Sequence, residues 1–213
     1  MPSGFDRIAW PYRWLEYLSF GPLLERCRNH WLPATRGKRR ALILGDGDGR
    51  FTSRLLRKNP EIIVEAVDIS HAMLTLLNTR AAKQGAANRV TTRCLDALSF
   101  HPEGNYDIVV SHFFLDCFST SEVRQLAEAI RPHLVPSALW VVSDFDIPHG
   151  GPSVLPAQFF IGFLYRAFGV LTGLETRSLP DHRQALETAG LVLSAQKTWL
   201  GGLLFSELWI LHN

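Results

Sequence analysis

The stretch Ala41-Leu-Ile-Leu-Gly-Asp-Gly-Asp-Gly-Arg50 decides the fold class of this chain. Residues 41–44 form a short apolar strand, and glycines follow at the alternate positions 45, 47 and 49. Because glycine has no Cβ, it adopts positive φ and lets a ligand come close to the backbone. The helix predicted after this turn begins with free N–H groups. The pattern therefore predicts a nucleotide-type cofactor site at the carboxyl end of a strand.

The spacing of these glycines argues against two common nucleotide sites. A dinucleotide-binding turn needs G-x-G-x-x-G, but the third glycine is replaced by Arg50 in one register and by Thr52 in the other. No Gly-Lys-Ser/Thr follows, which excludes a phosphate-binding P-loop. Asp46 and Asp48 would repel a pyrophosphate at close range. Acids in these positions suit a ligand that carries a sulfonium and an ammonium group.

The rest of the chain alternates apolar strands with amphipathic helices, which predicts an α/β protein. Continuous apolar runs separated by helices are typical of a parallel sheet that is covered on both faces. The predicted strands are 41–44, 62–67, 90–94, 107–111 and 138–143. Ser70 is positioned to cap one helix, and Ser119-x-x-Glu122 forms a capping box that opens another. We therefore predict a doubly wound, mostly parallel sheet of seven strands.

The last part of the chain departs from this alternation. Asp181-x-x-Gln184 opens a helix that ends near Gly190, and the two β-rich runs 191–199 and 203–211 are joined by Gly201-Gly202. So short a connection joins antiparallel neighbours only. The sheet is thus predicted to carry an antiparallel C-terminal strand. A length of 213 residues suits one well-buried domain, so we treat 1–213 as a single domain.

Two acids follow the second and third strands, where a nucleoside would lie. Asp68 comes about 20 residues after the glycine turn, at the position from which a carboxylate accepts hydrogen bonds from ribose hydroxyls. One carboxylate can accept from both hydroxyls at once. Asp96 follows the third strand in Cys94-Leu-Asp-Ala97, where it can meet the exocyclic amine of an adenine.

These motifs, taken in order, resemble class I S-adenosylmethionine-dependent methyltransferases, which have a Rossmann-like fold. The order is Leu-Gly-x-Gly-x-Gly, then Val-Asp-x-Ser, then Asp-Ala, then Tyr-Asp-Ile-Val-Val-Ser-His at 106–112. The antiparallel terminal hairpin is a further mark of the family, and the resemblance covers about residues 38–213. Phe5-Asp-Arg-Ile-Ala and the aromatic entry helices resemble, more weakly, the small-molecule methyltransferases of ubiquinone and menaquinone biosynthesis.

The resemblance implies S-adenosylmethionine as the cofactor and assigns contacts to it. Residues of the glycine turn would line its methionine portion, Asp68 its ribose, and the next two groups the face and edge of its adenine. Ser111 would lie beside the transferable methyl group. The implied cofactor-binding residues are Gly45, Asp46, Gly47, Gly49, Asp68, Ile69, Met73, Asp96, Ala97 and Ser111. One position departs from the family, because Ile43 replaces the usual acid two residues before the first glycine. Either Asp46 or Asp48 takes over its charge, or binding of the amino end of the cofactor is weakened.

Catalytic groups are predicted after the fourth strand, in Ser111-His-Phe-Phe-Leu-Asp-Cys117. Methyl transfer is a direct displacement, to which an enzyme contributes mainly positioning and desolvation. A base is needed only where the acceptor must lose a proton, and the ordinary pKa of a histidine suits that task. We predict His112 as this base and Asp116 as the group that orients it. The alternative is a histidine that merely packs or bonds to backbone.

Two aromatic segments are predicted to cover the acceptor. Residues 1–36 are read as a helical N-terminal cap on a core of 37–213, and 153–172 as a helix that is apolar nearly all round. Such a helix needs partners on several sides. We predict that the two segments form a lid over an apolar acceptor pocket. A surface for a homodimer is the competing interpretation.

Composition and charge exclude several other classes of protein. The formal net charge of +2 and the absence of a wide basic stripe argue against a nucleic-acid partner. The scattered Cys27, Cys94 and Cys117 form no C-x-x-C pair, so no zinc or disulfide framework is predicted, and no other metal site. The N-terminus lacks the layout of a signal peptide, and no run approaches the roughly 20 apolar residues that span a bilayer. A cytoplasmic protein without an integral membrane segment is expected.

The sequence therefore predicts methyl transfer from S-adenosylmethionine to a small, apolar or aromatic acceptor, at a hydroxyl, an amine or an activated carbon. One alternative is a catalytically silent S-adenosylmethionine-binding protein with a regulatory or scaffold role, which Ile43 motivates. The other is an NAD(P)-dependent oxidoreductase.

Overall fold

The computed structural model describes residues 22–147 and 179–212, and within them it shows one seven-stranded sheet. The strand order is β3-β2-β1-β4-β5-β7-β6. The strands are β1 (Arg40–Leu44), β2 (Ile63–Asp68), β3 (Val90–Cys94), β4 (Tyr106–His112), β5 (Leu134–Phe145), β6 (Leu191–Trp199) and β7 (Leu204–Leu211). β1 lies next to β4, so the chain leaves this central pair toward opposite edges of the sheet.

The pairing directions confirm a mostly parallel sheet with a reversed strand near its C-terminal end. β1 to β5 pair in parallel, whereas β7 is antiparallel to both β5 and β6. The β6–β7 hairpin turns at Gly201 and Gly202, which both have positive φ as a tight connection requires.

The fifth strand is longer than the sequence predicts. It begins at Leu134 rather than near residue 138, and it continues through Pro136 and Ser137, which has a φ of 59°. The register with β4 shifts between Tyr106 and Ile108, so this part of β5 contains a bulge. Proline and a left-handed residue are tolerated in a strand at such an irregularity, which is why this segment does not look like a strand in the sequence.

Five α-helices flank the sheet in the described part of the chain. They are α1 (Pro22–Asn29), α2 (Arg50–Lys58), α3 (His71–Lys83), α4 (Thr120–Ile130) and α5 (His182–Thr188). The predicted caps are confirmed: the Ser70 side chain accepts a hydrogen bond from the Met73 amide, and Ser119 with Glu122 forms the capping box of α4. These caps fix where the helices begin after β2 and β4.

Each face of the sheet is buried under its own helices, as a doubly wound fold requires. On one face α2 and α3 pack on the strands through residues such as Phe51, Leu55 and Leu77. On the other face α4 and α5 pack on Trp140 and Trp209. Apolar residues of β1, β4 and β5 alternate between the two clusters. The central strands are therefore covered on both faces, which accounts for their continuous apolar sequence.

Part of the predicted lid lies outside the described residues. Residues 1–21, which include most of the predicted cap, and the helix predicted at 153–172 are not described. Helix α1 and a single 3-10 turn at Leu32–Thr35 represent the cap in the described chain. Within 22–147 and 179–212, the structure has no helix of the length and apolarity that crossing a membrane requires.

Candidate cofactor and acceptor site

The candidate site lies at the carboxyl ends of β1 and β4, where the strand order reverses. In open α/β sheets, ligands bind in the crevice at this switch point. Three segments meet there: the glycine turn after β1, the end of β2 with Asp68, and residues 113–117 after β4. The Gly45 amide donates to the carbonyl of Val67 at 2.9 Å, which ties the glycine turn to the end of β2.

The three glycines of the turn have positive φ, but they serve different purposes. The φ angles of Gly45, Gly47 and Gly49 are 65°, 60° and 77°. A Cβ on Gly45 would strike the ring of Phe114, and one on Gly49 would lie 2.6 Å from Leu77 Cγ. A Cβ on Gly47 would have only the sulfur of a methionine near it, at 3.9 Å.

All three glycines are predicted to bring the backbone close to a ligand, and two of them also serve packing within the protein. Gly45 and Gly49 are required for the close packing of Phe114 and helix α3. Gly47 is the glycine whose missing side chain leaves space beside the turn, so it is the strongest candidate for close approach by a ligand. Cofactor contact by the backbone at 45 and 49 stays a prediction.

Asp46 places a carboxylate at the N-terminus of helix α2. Its Oδ2 accepts a hydrogen bond from the Thr52 amide at 2.8 Å and so satisfies one of the free N–H groups in the first turn of the helix. Burial raises the pKa of Asp46 to about 6, although the hydrogen bond from Thr52 opposes the shift. This acid remains next to Gly47 and can meet a cationic group of the cofactor.

Asp48, by contrast, is neutralised within the protein. Its carboxylate lies 3.0 Å from Arg50 Nε and 2.7 Å from Arg80 Nη2, and Arg80 Nε also donates to its main-chain carbonyl at 2.8 Å. Paired in this way, Asp48 fixes the turn to α3. The suggestion that Asp48 takes over the charge of an acid at position 43 is therefore not supported by the structure. Ile43 itself is 1% exposed and packs in the core under α2.

The ends of β2 and β3 bring together the residues predicted to hold the nucleoside. Asp68 is half-buried, and its Oδ1 accepts from the Ser70 amide at 2.9 Å. Next to it, Ile69 is 48% exposed, which is unusual for a large apolar side chain and provides a surface for an adenine ring. The exposed Asp96 caps the turn after β3 by accepting from the Leu98 amide at 3.0 Å.

The remaining nucleoside residues are more deeply buried. Met73 is 9% exposed and Ala97 is 6% exposed, so neither presents an open surface. The structure thus collects the predicted nucleoside residues at one edge of the sheet. Their contact with a cofactor stays a prediction.

Replacing Asp68 by alanine is expected to weaken the binding of S-adenosylhomocysteine by about 10- to 100-fold, because hydrogen bonds to a charged acceptor contribute about 1.5–3 kcal/mol. Isothermal titration calorimetry measures this loss. Asp68→Asn is the matched control, since it keeps an acceptor for the Ser70 amide but loses the charge. We expect an intermediate affinity for it. Equal affinities for the parent protein and Asp68→Ala would show that the ribose lies elsewhere.

Ser111 is the last residue but one of β4. Its side chain is fully buried, and its Oγ accepts a hydrogen bond from Trp140 Nε1 at 3.0 Å. The predicted contact of Ser111 with the transferable methyl group stays a prediction, and the Oγ already has a partner within the protein. A serine at the end of β4 looks like a ligand contact in the sequence. Only the packing of β5 shows that the buried indole N–H of Trp140 donates a hydrogen bond to the Ser111 oxygen.

His112 is also buried, whereas a base that meets the acceptor was predicted at this position. It is 4% exposed, and its ring packs edge-on against Phe51 with the ring centroids 4.6 Å apart. Burial, together with the charge of Arg28, lowers the pKa of His112 to about 3. A group with so low a pKa is a poor acceptor for a hydroxyl proton at neutral pH, because proton transfer to it is strongly uphill. The pKa of His112 in the folded protein is therefore not the ordinary one on which its predicted role as a base depends.

The predicted hydrogen bond between His112 and Asp116 is not formed. Both ring nitrogens of His112 are buried without a hydrogen-bond partner among the described residues. Asp116 instead belongs to a cluster with Asp144 and Cys117. The Asp116 amide donates to Asp144 Oδ2 at 3.2 Å, and Cys117 Sγ donates to Asp116 Oδ1 at 3.6 Å.

The two carboxyl groups of this cluster influence each other. Asp144 is 3% exposed; burial raises the pKa of its carboxyl group well above the usual range, and the charge of Asp116 raises it further. Burial likewise raises the pKa of Asp116. Like charges this close cannot both ionise easily, so the two carboxyl groups titrate as a pair. The structure therefore places a carboxyl pair at the ends of β4 and β5.

Sequence reasoning missed Asp144, Arg28 and Phe114 as parts of this site. Asp144 ends β5 in Ser143-Asp-Phe145, and an acid after a strand is a signal of the same kind that pointed to Asp68 and Asp96. Arg28 and Phe114 gave no such signal. Their place depends on the packing of α1 and of the segment after β4, which no local pattern reveals.

The strand order, the glycine turn and the acid after β2 together define a Rossmann-like fold with the topology of S-adenosylmethionine-dependent methyltransferases. The comparisons with known proteins agree. Residues 41–137 match the family model described as "Methyltransferase domain". A malonyl-[acyl-carrier protein] O-methyltransferase of Priestia megaterium is 29% identical over 93 residues, which cover 43% of this chain and 32% of that protein.

Solved structures show the same fold at low sequence identity. The mitomycin 7-O-methyltransferase MmcR has a TM-score of 0.72 at 18% identity, with 99% of this chain and 61% of that chain covered. An O-methyltransferase family protein from Burkholderia thailandensis has a TM-score of 0.68 at 15% identity, with 89% of this chain and 55% of that chain covered. The N-methyltransferase NodS from Bradyrhizobium japonicum has a TM-score of 0.61 at 15% identity, with 90% of this chain and 98% of that chain covered.

Residues 41–137 are thus similar to a methyltransferase domain, and the fold around them is that of class I S-adenosylmethionine-dependent methyltransferases, which indicates S-adenosylmethionine as the cofactor. The chain spans about a third of the length of the curated relative that it matches. The weaker resemblance to ubiquinone- and menaquinone-type enzymes stays a prediction.

Proposed function

We propose that this chain transfers a methyl group from S-adenosylmethionine to an oxygen atom of a small, apolar or aromatic acceptor. One observation carries the proposal: a carboxyl pair with raised pKa values lies across the same crevice from the glycine turn and Asp68. The carboxyl pair is suited to take a proton from an acceptor. The glycine turn and Asp68 are suited to hold the cofactor. The names of the related proteins, several of which are O-methyltransferases, favour oxygen as the methylated atom.

The residues around the glycine turn fit the cofactor in chemistry. The open backbone at Gly47 admits its methionine portion, the Asp68 carboxylate accepts from its ribose, and the exposed Ile69 covers its adenine. When bound, S-adenosylmethionine supplies an electrophilic methyl group on a positively charged sulfur. The carboxylates of Asp46 and Asp68 favour such a charge, because opposite charges attract at close range.

On the acceptor side, the chain contributes a proton acceptor. The Asp116 carboxylate is the more exposed member of the pair, while Asp144 is held beneath it and accepts from its amide. A carboxylate whose pKa is raised is a better base than an ordinary one. We infer that a carboxylate oxygen of Asp116 takes the proton of the acceptor's hydroxyl group. The acceptor's oxygen would gain the methyl group as the methyl–sulfur bond breaks, with S-adenosylhomocysteine as the leaving group. Asp144 positions Asp116 and tunes its pKa.

Aromatic side chains around the pair support an apolar acceptor. Phe113 and Phe145 pack with their ring centroids 5.2 Å apart, and Phe114 and Phe118 with theirs 5.0 Å apart. Phe113 has a φ of 52°, a rare conformation for a bulky residue that is most often found where function requires it. This turn directs the chain after β4 so that Phe114 reaches Gly45 and Asp116 reaches Asp144.

S-adenosylhomocysteine is expected to stabilise the native protein, whereas NADH and NADPH are expected to have no effect. A ligand that binds only the native state at 100 times its Kd adds about 2.7 kcal/mol to the free energy of unfolding. Thermal unfolding with each compound in turn measures this difference. Stabilisation by a nicotinamide cofactor alone would refute the proposal and favour an oxidoreductase.

The acceptor class is tested by incubating the protein with the methyl-labelled cofactor and a panel of phenols, quinols, hydroxylated heteroaromatics and carboxylic acids. Matched amines serve as controls for the methylated atom. Labelled product from hydroxylated aromatics supports the proposal. Cofactor binding without transfer to any acceptor would favour the catalytically silent alternative. Association of two copies also stays a prediction, which light scattering would test.

A further inference from the structure

The two ring nitrogens of His112 are buried, and the proposed reaction does not use them. Its side chain is 4% exposed, and neither ring nitrogen has a hydrogen-bond partner among the described residues. Buried polar side chains in folded proteins nearly always have a partner, and an exception calls for an explanation such as a bound ligand. An imidazole with two unpaired nitrogens is therefore a candidate for contact with a group that enters the crevice.

The sheet register places this imidazole beside the start of the glycine turn. Ile43 pairs with Val110, and Leu44 pairs with Ser111, so His112 lies next to the residue that follows β1. Since alternate residues of a strand face the same side, His112 lies on the same face as Val110, one step closer to the crevice. Ile43 and Val110 belong to the cluster under α2. His112 thus takes a place adjacent to the position where the family has an acid.

The charges around His112 match the two ends of an amino acid. Arg28 of α1 is close enough to lower the pKa values of both His112 and Asp46. Arg28 also stacks over the Phe113 ring, with its Cζ 4.9 Å from the ring centroid. A cationic guanidinium, a carboxylate and a neutral imidazole in one region suit a ligand that bears a carboxylate and an ammonium group. The methionine portion of the cofactor has both.

We propose that His112 accepts a hydrogen bond from the ammonium group of the cofactor's methionine portion, and so replaces the acid that is absent at Ile43. This inference rests on the proposed function, because it requires S-adenosylmethionine at the glycine turn. A neutral imidazole is the right form for this role, since only the neutral ring has a nitrogen that can accept. His112 is then a positioning residue for the cofactor, whereas Asp116 acts on the acceptor.

The test measures by calorimetry how two ligands bind to the parent protein and to its variants. S-adenosylhomocysteine carries the amino acid end, and 5′-methylthioadenosine lacks it. His112→Phe keeps an aromatic ring against Phe51 but removes both nitrogens. We expect its affinity for S-adenosylhomocysteine to fall by about 10- to 100-fold, as for the loss of a hydrogen bond to a charged group. Its affinity for 5′-methylthioadenosine should not change.

A conservative variant and a matched control sharpen the result. His112→Asn restores an acceptor oxygen and should recover part of the affinity for S-adenosylhomocysteine. His133→Phe is the control, since His133 bonds the Gly104 carbonyl at 3.0 Å on another part of the fold, and its affinities should equal those of the parent. The thermal midpoint of free His112→Phe should be equal to or higher than that of the parent, because two unpaired buried polar atoms are removed.

The possible outcomes separate this inference from the proposed function. Equal losses for both ligands in His112→Phe would mean a general structural role and would overturn the inference. Unchanged affinities with a lower turnover number would assign His112 to proton transfer and would also overturn it. In both cases the parent still binds S-adenosylhomocysteine, so the proposed cofactor stands. A parent protein that binds neither ligand would overturn the proposed function and this inference together.

Discussion

Asp116→Asn is expected to lower the turnover number by about 10²- to 10⁴-fold, the usual contribution of a general base. The amide cannot accept the acceptor's proton, while its size and its hydrogen bonding to neighbours stay nearly the same. The affinity for S-adenosylhomocysteine should change little, because Asp116 lies on the acceptor side. Steady-state kinetics with an acceptor from the panel, together with calorimetry, measure the two effects.

The pH dependence gives a second measure of the same role. Burial raises the pKa of Asp116, and the carboxylate form is the active one. In the parent protein kcat/KM should therefore rise with pH through this raised pKa, and the rise should be absent in Asp116→Asn. A raised carboxyl pKa also makes the native state lose stability as the pH rises above the ordinary value. Asp116→Asn should remove that loss, so it is expected to be more stable than the parent near neutral pH.

Asp107→Asn is the matched control for this substitution. Asp107 lies at the opposite end of β4, where its carboxylate accepts from the amides of Arg39 and Arg40 at 2.6 and 3.0 Å. The turnover number of this variant should equal that of the parent. An Asp116→Asn variant that retains the parent's turnover number and pH profile would exclude Asp116 as the base.

Glu207→Ala is expected to lower the free energy of unfolding by about 1–3 kcal/mol, the usual cost of leaving a buried donor without its acceptor. Glu207 lies in β7 with its side chain fully buried under α5. Its carboxylate is 2.7 Å from Arg183 Nη2 and 3.0 Å from His182 Nε2, and it also accepts from Trp209 Nε1 at 3.0 Å. Without it, these donors lose their common acceptor. Urea unfolding measures the change.

The ionisation of Glu207 also predicts how stability depends on pH. Burial alone would raise the pKa of Glu207, but the hydrogen bonds and charges of His182 and Arg183 outweigh burial and lower it. A lowered carboxyl pKa contributes stability that is present above the unfolded-state pKa and is lost as the pH falls through the folded-state value. The parent should therefore lose stability below about pH 4, near the ordinary pKa of glutamate. Glu207→Ala should lose less over this range.

Glu103→Ala is the matched control for a surface ion pair. Glu103 lies 3.3 Å from Arg93 and its side chain is 78% exposed. Such a pair contributes at most about 1 kcal/mol. If Glu207→Ala destabilised the protein no more than Glu103→Ala does, the network under α5 would not hold the C-terminal hairpin to the sheet.

Much of the fold could be predicted because local patterns in the sequence are strong. Apolar runs such as 41–44 form parallel strands, since strands covered on both faces need apolar residues throughout. Ser70 and Ser119 cap helices through their own hydroxyl groups, which depends on residues only a few positions away. The start of β5 was missed because Pro136 and Ser137 lie at a bulge, and a bulge depends on the neighbouring strand.

The sequence by itself determined the alternation of strands and helices, the glycine turn, and the acids that follow β2 and β3, because each depends on a few neighbouring residues. Only the tertiary structure decided which side chains face the crevice. In the folded protein Ser111 bonds with Trp140, Asp48 pairs with two arginines, and Asp116 bonds with Asp144. It also left His112 buried with unpaired nitrogens. These outcomes depend on contacts between segments far apart in the chain, and burial in those contacts sets which groups are charged.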